Sequence, residues 1–177
     1  MLCYCVMPNH WHLVLWPRRD GELSECMRWL TVTHTQRWCA NHHTAGTGPL
    51  YQGRFKSFPV QDDHHLLRVC RYVERNGLRA GLVERAEAWP WCSLWRRRQA
   101  KAGDAALLLS LDQWPVEPPR NWVAMVNGAE NSEELEALRK SAHRGAPYGH
   151  ANWQRRTASR LGLESCLRPR GRPRKPQ

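Results

Sequence analysis

Two histidines separated by a single residue, His10 and His12, are the most informative pair in the chain. They lie inside an apolar run over residues 2–16, where alternation along a strand turns both imidazoles to one face. Two imidazoles presented in this way form a ready site for a divalent metal ion. The chain contains 9 histidines, so the pair alone is better explained by chance, and a second element is needed.

The second element is a helix that the pattern predicts over residues 62–77, with Asp62 as N-cap and Gly77 as C-terminal stop. Its apolar residues recur at helical spacing and predict a buried stripe of Leu66, Val69, Cys70 and Val73. Tyr72 and Asn76 are four residues apart and stack at the edge of that stripe. There a tyrosine hydroxyl can face a cleft while the amide oxygen reaches a metal. In isolation, the pattern better fits a half-buried core tyrosine followed by an ordinary helix-ending asparagine.

Four motifs in order resemble the REP-associated tyrosine transposases, which are HUH single-strand DNA nucleases with one catalytic tyrosine. The motifs are the His10/His12 segment over residues 7–15, residues 48–57, Tyr72-x-x-x-Asn76 leading into residue 83, and residues 89–94. Residues 48–57 resemble the strand region that follows in the family. The resemblance covers about residues 1–95, and the ordered set is far more specific than any single motif.

The resemblance implies both a fold and a reaction. The fold is α+β, a ferredoxin-like HUH nuclease domain with an antiparallel sheet and helices on one face, followed by a helical basic C-terminal extension. His10, His12 and Asn76 then hold one Mg²⁺ or Mn²⁺, which polarises the scissile phosphate as a Lewis acid. Nitrogen ligands favour Mn²⁺, although Mg²⁺ is more abundant in cells. Tyr72 attacks the phosphate and gives a 5′-phosphotyrosine with a free 3′-hydroxyl.

The sequence departs from the family pattern in two places. Gly77 stands where family members usually carry proline, and either residue is expected to end the helix. Family proteins also place a strand and a helix before the segment that contains His10. The resemblance therefore implies that this first strand and helix are missing, either from a truncated gene product or because the true start lies upstream.

The charge of the chain indicates a nucleic-acid partner. The formal net charge is +11, with 27 Lys and Arg against 16 Asp and Glu. Arginine outnumbers lysine strongly, and its planar guanidinium binds phosphate bidentately and stacks on bases. A GC-rich genome explains the arginine preference equally well, but not the net charge. The candidate contacts to a DNA backbone, each also consistent with a solvated surface charge, are Arg54, Lys56, Arg68, Arg71, Arg75 and Arg79.

The last residues, 169–176, match the AT-hook pattern, an extended Arg-Gly-Arg-Pro core. Such a segment lies in a narrow A/T minor groove, and the candidate contacts are Arg170 and Arg172. A disordered and non-specific cationic arm fits the same composition. Both interpretations imply DNA.

Three segments are predicted along the chain: a catalytic domain over residues 1–95, a helical and irregular connector over residues 96–143, and an accessory basic tail over residues 144–177. An amphipathic helix is predicted over residues 20–40 with Asp20 as its cap. A further helix over residues 131–142 runs from acidic to basic, an order that suits the helix dipole.

The cysteines bear on both compartment and metal binding. Seven cysteines, without a C-x-x-C pair or signal peptide, favour reduced thiols in a cytosol. The family resemblance implies that this is a bacterial cytoplasm and that the protein is associated with the nucleoid. No apolar run approaches the length needed to cross a membrane. A rival metal site remains open: a tight turn at residues 8–9 would set Cys5 opposite His12, next to Cys3, and allow a structural zinc ion.

These observations predict a metal-dependent single-stranded DNA endonuclease and strand transferase. Its partner is single-stranded or hairpin DNA of repetitive palindromic elements, bound by a monomer or a homodimer without a membrane. Two alternatives stay open at this point. One is a non-catalytic hairpin-binding protein that has lost the folded active site, and the other is a zinc-stabilised DNA-binding regulator.

Overall fold

The computed structural model describes residues 1–44, 46–99 and 107–168. Arg170, Arg172 and the AT-hook-like segment lie outside the described residues. The described ranges contain two strands, β1 (Cys3–Val6) and β2 (Trp11–Val14), so the chain is of the predicted α+β class. Their helices are α1 (Glu22–His42), α2 (His64–Glu74), α3 (Asn76–Arg79), α4 (Ser93–Gln99), α5 (Trp122–Asn127), α6 (Ser132–Arg144), α7 (Ala151–Leu161) and α8 (Glu164–Leu167).

The two strands form an antiparallel ribbon that sets the positions of the histidines. Cys5 pairs with His12 in its register, and the Met7 amide donates to the His10 carbonyl at 2.8 Å to close the turn. The sheet of the predicted fold is therefore present as two strands in the parts of the chain that the structure describes. No strand forms over residues 48–57, so that expectation is wrong. Gly48 adopts a φ of +117°, which a strand residue does not.

The chain divides into two compact units, of which the first comprises residues 1–14 and 57–177. The second unit comprises residues 15–56 and contains α1. The predicted cap Asp20 is wrong by one residue, because Gly21 takes the N-cap position with a φ of +84°. Glycine reaches this left-handed conformation without steric cost.

Helix α2 packs on the ribbon and forms the centre of the first unit. The predicted stripe of Leu66, Val69, Cys70 and Val73 is buried, as expected. It joins the buried side chains of Leu2, Cys3 and Cys5 in one hydrophobic core. The N-cap is Asp63 rather than the predicted Asp62, because the Asp63 carboxylate accepts the His65 amide at 2.8 Å.

The predicted helix stop at Gly77 is also wrong. Helix α2 ends at Glu74, Arg75 keeps a helical backbone, and α3 runs through Gly77 before Gly81 turns at a φ of +68°. Gly77 serves a packing purpose, because a Cβ built on it would lie 2.7 Å from Cγ of Trp89. The left-handed conformation that commonly ends helices is taken four residues later.

The acidic-to-basic helix is confirmed as α6 and extends two residues further than predicted. Its N-cap Asn131 accepts from the Glu133 and Glu134 amides. Beyond α6, the chain returns to the start of α2: the Tyr148 amide donates to the Pro59 carbonyl at 2.8 Å, and the Gln61 amide donates to the Tyr148 carbonyl at 2.9 Å. These bonds hold the C-terminal segment beside the N-terminus of α2.

All seven cysteines lie in the described ranges as free thiols. Cys5 does stand opposite His12, as the rival zinc hypothesis requires. However, the Cys3 thiol donates to the Cys70 carbonyl, and the Cys5 thiol contacts the Met7 sulfur at 3.6 Å. Among residues 1–44, 46–99 and 107–168, no cluster of three or more metal-ligating side chains includes either cysteine, so the Cys5–His12 pair lacks further ligands there. No helix described here is both long and apolar enough to span a bilayer.

A fully buried carboxyl group joins three helices of the first unit. Glu74 is 0% exposed, and its two oxygens accept from the Ser93 hydroxyl and the Trp122 indole N–H, each at 2.7 Å. Burial raises the pKa of Glu74 above its ordinary value, while both hydrogen bonds oppose that rise. The carboxyl group therefore binds its proton more tightly in the folded chain than in the unfolded chain.

We expect Glu74→Gln to flatten the dependence of stability on pH. Because the folded pKa is raised, the native state binds more protons than the unfolded state above about pH 4.5, and wild-type stability falls as pH rises through that window. Glutamine keeps an oxygen for the Trp122 N–H and removes the charge. Urea unfolding should show that the free energy of unfolding of Glu74→Gln, relative to that of wild type, is higher at pH 8 than at pH 5.

The exposed Glu136 supplies the matched control. Glu136→Gln should leave the change in unfolding free energy between pH 5 and pH 8 the same as in wild type. Glu74→Leu should lose about 1–3 kcal/mol, since the Trp122 N–H is then buried without an acceptor. Identical pH slopes for wild type and Glu74→Gln would contradict the burial argument.

Candidate functional site

The structure brings three of the predicted site residues together on the first unit. His10 immediately precedes β2 and His12 is its second residue, with ring centroids 4.9 Å apart and ring planes nearly perpendicular. The His12 ring lies 5.7 Å from the Tyr72 ring, again nearly perpendicular. His12 and Tyr72 are sixty residues apart in the sequence. They meet because α2 packs on the ribbon.

His10 is oriented by its neighbour in the turn. Its Nδ1 lies 2.7 Å from Oδ1 of Asn9. An amide oxygen only accepts hydrogen bonds, so this contact assigns the proton of the neutral ring to Nδ1 and leaves the lone pair on Nε2. Partners of this kind fix the tautomer of metal-binding histidines in proteins.

His12 is held in the neutral form. Burial first, and then the charge interactions with His10 and Arg79, lower the pKa of His12 to about 4. At pH 7 the imidazole therefore carries no charge, which is the form that binds metal ions. The donor chemistry of both histidines fits a divalent cation.

Asn76 is buried at the junction of α2 and α3. Its Nδ2 donates to the Tyr72 carbonyl at 3.1 Å and to the Val73 carbonyl at 3.3 Å, so its side chain bonds back to the last turn of α2. Its Oδ1 accepts from a guanidinium nitrogen of Arg79 at 2.8 Å. One lone pair of Oδ1 remains for a cation, and the role of Asn76 as a metal ligand stays a prediction.

Arg79 is the residue that connects these groups. Its guanidinium carbon lies 4.1 Å from the centroid of the Tyr72 ring, a cation–π contact. The same guanidinium forms a bidentate pair with Glu130, at 2.7 Å and 3.0 Å. Glu130 also contacts the guanidinium of Arg75 at 3.2 Å. Arg79 thereby fixes the positions of Tyr72 and Asn76, while Glu130 balances its charge.

Sequence reasoning missed Glu130 altogether. It lies 51 residues from Arg79, outside the region that carries the resemblance, and no spacing relates the two. The only signal near it was the acidic start of the predicted helix at residue 131. Its contact with Arg79 becomes visible only once the chain is folded.

The other arginines proposed for DNA have partners inside the protein. Arg68 pairs with Glu134 at 2.7 Å, Arg71 donates to the Gly128 and Ala129 carbonyls, and Arg75 donates to the Val126 carbonyl at 2.7 Å. These contacts fasten α2 to residues 126–134. Arg54 and Lys56 are exposed in the second unit. For all of these side chains, a contact with DNA stays a prediction.

A second group of potential ligands was not predicted. Side-chain donor atoms of Asp63, His64, His65 and His150 all lie within 4.8 Å of one another. Three of these residues are consecutive at the start of α2, and the fourth comes from the segment before α7. No sequence spacing signals this group, because residue 150 is distant along the chain.

Comparisons with known proteins find one matching family model and a similar bacterial protein. Residues 1–76 match the family model described as "Transposase IS200 like". The chain is 25% identical over 105 residues to a Haemophilus influenzae protein named "Putative REP-associated tyrosine transposase". This alignment covers 55% of the present chain and 60% of that relative. No solved structure matches the chain.

We expect Glu130→Ala to destabilise the protein by about 3 kcal/mol, because it leaves two largely buried arginines, Arg75 and Arg79, without their carboxylate. Urea unfolding at pH 7 measures the loss. Glu136→Ala, an exposed glutamate on α6, should change stability by less than about 0.5 kcal/mol. Equal effects of the two substitutions would show that the Arg79–Glu130 pair does not stabilise this site.

Proposed function

Because residues 1–76 match the model of the IS200-like transposase family, we propose that the chain is a metal-dependent single-strand DNA nuclease and strand transferase. Its proposed substrates are hairpins of repetitive palindromic elements. The observation that carries the proposal is the approach of a neutral His12 to Tyr72, with ring centroids 5.7 Å apart. A tyrosine beside two imidazoles combines a nucleophile with donors for a divalent cation.

His10, His12 and Asn76 are the proposed ligands of the cation. The fit rests on the Asn9 bond that leaves Nε2 of His10 unprotonated and on the burial that keeps His12 neutral. When bound there, Mg²⁺ or Mn²⁺ supplies Lewis-acid polarisation of the scissile phosphate. Two histidines with one amide leave coordination positions for phosphate oxygens.

Tyr72 is the proposed nucleophile. Its phenolic oxygen forms a bond to phosphorus as the bond from phosphorus to the 3′ oxygen breaks, so the 5′ phosphate becomes attached to the tyrosine. The phenol loses one proton and the departing 3′ oxygen gains one, which balances the step. Attack by another 3′-hydroxyl reverses it and joins a new strand, without a nucleotide cofactor.

Arg79 and Asn76 are proposed to position this nucleophile. Arg79 lies over the Tyr72 ring and bonds to the Asn76 amide oxygen, so the ring and the proposed ligand share one support. Such support limits the orientations that the phenol samples and favours the in-line approach.

Contacts with the DNA backbone are proposed at the basic side chains. Arg68, Arg75 and Arg79 each pair with a carboxylate, and Arg68 is the most exposed of the three, with 37% of its side chain accessible to solvent. We propose that a DNA phosphate replaces Glu134 as its partner. Arg54, Lys56, Arg71, Arg75 and Arg79 complete the proposed set, with Arg170 and Arg172 for a minor groove. We place this activity in the bacterial cytoplasm, at the nucleoid, in a monomer or homodimer.

We expect wild type, but not Tyr72→Phe, to form a covalent adduct with DNA. The assay mixes protein, Mn²⁺ and labelled single-stranded oligonucleotides from repeats that flank the gene, and separates them on a denaturing gel. Only the phenolic oxygen can make the phosphotyrosine bond, so the slow band should vanish in Tyr72→Phe. Tyr4→Phe, which removes the hydroxyl of another half-buried tyrosine, should keep the band.

An adduct that persists in Tyr72→Phe would exclude Tyr72 as the nucleophile. If wild type forms no adduct but shifts the hairpin on a native gel, the chain binds hairpins without cleaving them.

We expect His12→Ala to lower the rate of adduct formation by about 100-fold or more, since loss of even an outer partner of a metal ligand costs about 10- to 100-fold. The measurement is the initial rate at several Mn²⁺ concentrations. His143→Ala replaces an exposed histidine on α6 and should leave the rate unchanged. A rate in His12→Ala equal to that of wild type would remove His12 from the proposed metal site.

A further inference from the structure

Three imidazoles converge on one carboxylate at the start of α2. Nδ1 of His65 lies 2.7 Å from Oδ1 of Asp63, whereas Nδ1 of His64 and Nε2 of His150 lie 3.8 Å and 3.6 Å from Oδ2. The last two distances exceed a hydrogen bond. These two imidazoles therefore approach the carboxylate without bonding to it.

The rings also lie close to one another. The centroids of His64 and His65 are 4.1 Å apart, those of His65 and His150 are 4.7 Å apart, and those of His64 and His150 are 5.3 Å apart. The ring of His65 also rests against Tyr148 at 5.3 Å and is mostly buried.

The backbone holds His150 in this position. Val60 and Tyr148 form a parallel bridge, and the His150 amide donates to Oε1 of Gln61 at 2.9 Å. Gly149, which stands between Tyr148 and His150 in the chain, lies very close to Gln61. A Cβ on it would be only 2.6 Å from the same Gln61 oxygen. The placement of residue 150 beside Asp63 therefore rests on main-chain contacts as well as on side-chain rotamers.

We propose that Asp63, His64, His65 and His150 form a second metal site, separate from the site at His10 and His12, that takes a divalent transition metal ion such as Zn²⁺. Three imidazole nitrogens and one carboxylate oxygen are a donor set that Zn²⁺ prefers. Mg²⁺ and Ca²⁺ prefer oxygen donors throughout, so they fit this set poorly.

The distances are compatible with binding after small side-chain rotations. Ligand atoms around a tetrahedral zinc ion lie roughly 3.3 Å apart, because each bond is about 2.0–2.1 Å long. The four donor atoms are already within 4.8 Å of one another. His64 and His150 have side chains 49% and 63% exposed, so they can turn inward. The hydrogen bond between Nδ1 of His65 and Oδ1 of Asp63 would be replaced by bonds to the ion, and its proton would be released to solvent.

A metal ion at this position would join α2 to the segment that leads into α7. His65 and Tyr72 are seven residues apart on α2, about 10 Å along the helix axis, so the ion would lie away from the proposed nucleophile. It would stabilise the attachment of the C-terminal segment to the helix that carries Tyr72. This inference stands independently of the proposed function.

The test uses the full chain, stripped of metal by a chelator and titrated with Zn²⁺ by calorimetry and with Co²⁺ by visible absorption. His10→Ala/His12→Ala should still bind one equivalent of Zn²⁺ and show the absorption of four-coordinate Co²⁺. His150→Ala should bind Zn²⁺ at least about tenfold more weakly and lose the rise in melting temperature that Zn²⁺ produces. His143→Ala should match wild type.

Asp63→Asn provides a second variant that still folds, because asparagine also caps helices. It should weaken Zn²⁺ binding as His150→Ala does, while its melting temperature without metal stays near that of wild type. Unchanged Zn²⁺ affinity in both His150→Ala and Asp63→Asn would overturn the proposal. Loss of the bound equivalent in His10→Ala/His12→Ala would also overturn it, since the ion would then occupy the other site.

Discussion

The packing of α2 on the β1–β2 ribbon is the constraint on which the rest of the first unit depends. Its apolar stripe, with Leu66 and Val73 at either end, buries the face of the ribbon that carries Cys3 and Cys5. This packing fixes which side chains of β2 turn toward α2. A register slip of one residue would carry His12 to the opposite face of the ribbon and separate it from Tyr72. The candidate site is therefore a consequence of core packing.

Charge plays a different role in the folded chain from the one that composition suggests. A formal net charge of +11 predicts a surface that attracts phosphate, and that inference treats every arginine as open to solvent. In the fold, the guanidinium groups of α2 and α3 are directed largely to carboxylates and carbonyls of residues 126–134, as in the pairs Arg68–Glu134 and Arg79–Glu130. Guanidinium groups suit this task because their planar fork satisfies several acceptors at once.

Features that depend on residues close together in the sequence were predicted correctly, whereas contacts between distant residues were not. The α2 stripe, the Cys5–His12 register and helix α6 depend on neighbours within a few residues, and all were predicted. The two predicted helix caps were wrong by one residue and the predicted helix stop by more. In each case several neighbouring polar or glycine residues could fill the same role. The contacts of Glu130 and His150 arise only through folding, since no periodicity connects residues so far apart.

At both ends of α2, a carboxylate offsets a nearby positive charge that would otherwise oppose the binding of a cation. Near Tyr72, the positive charge of Arg79 opposes a second cation, and the bidentate contact with Glu130 offsets that charge. At the other end, the positive end of the helix dipole opposes a cation, and the capping carboxylate of Asp63 offsets it. Without these two side chains, the imidazoles at each place would lie in a positive potential that opposes a cation. The positions of these two acidic side chains thus favour the two proposed cation sites over the rest of this basic protein.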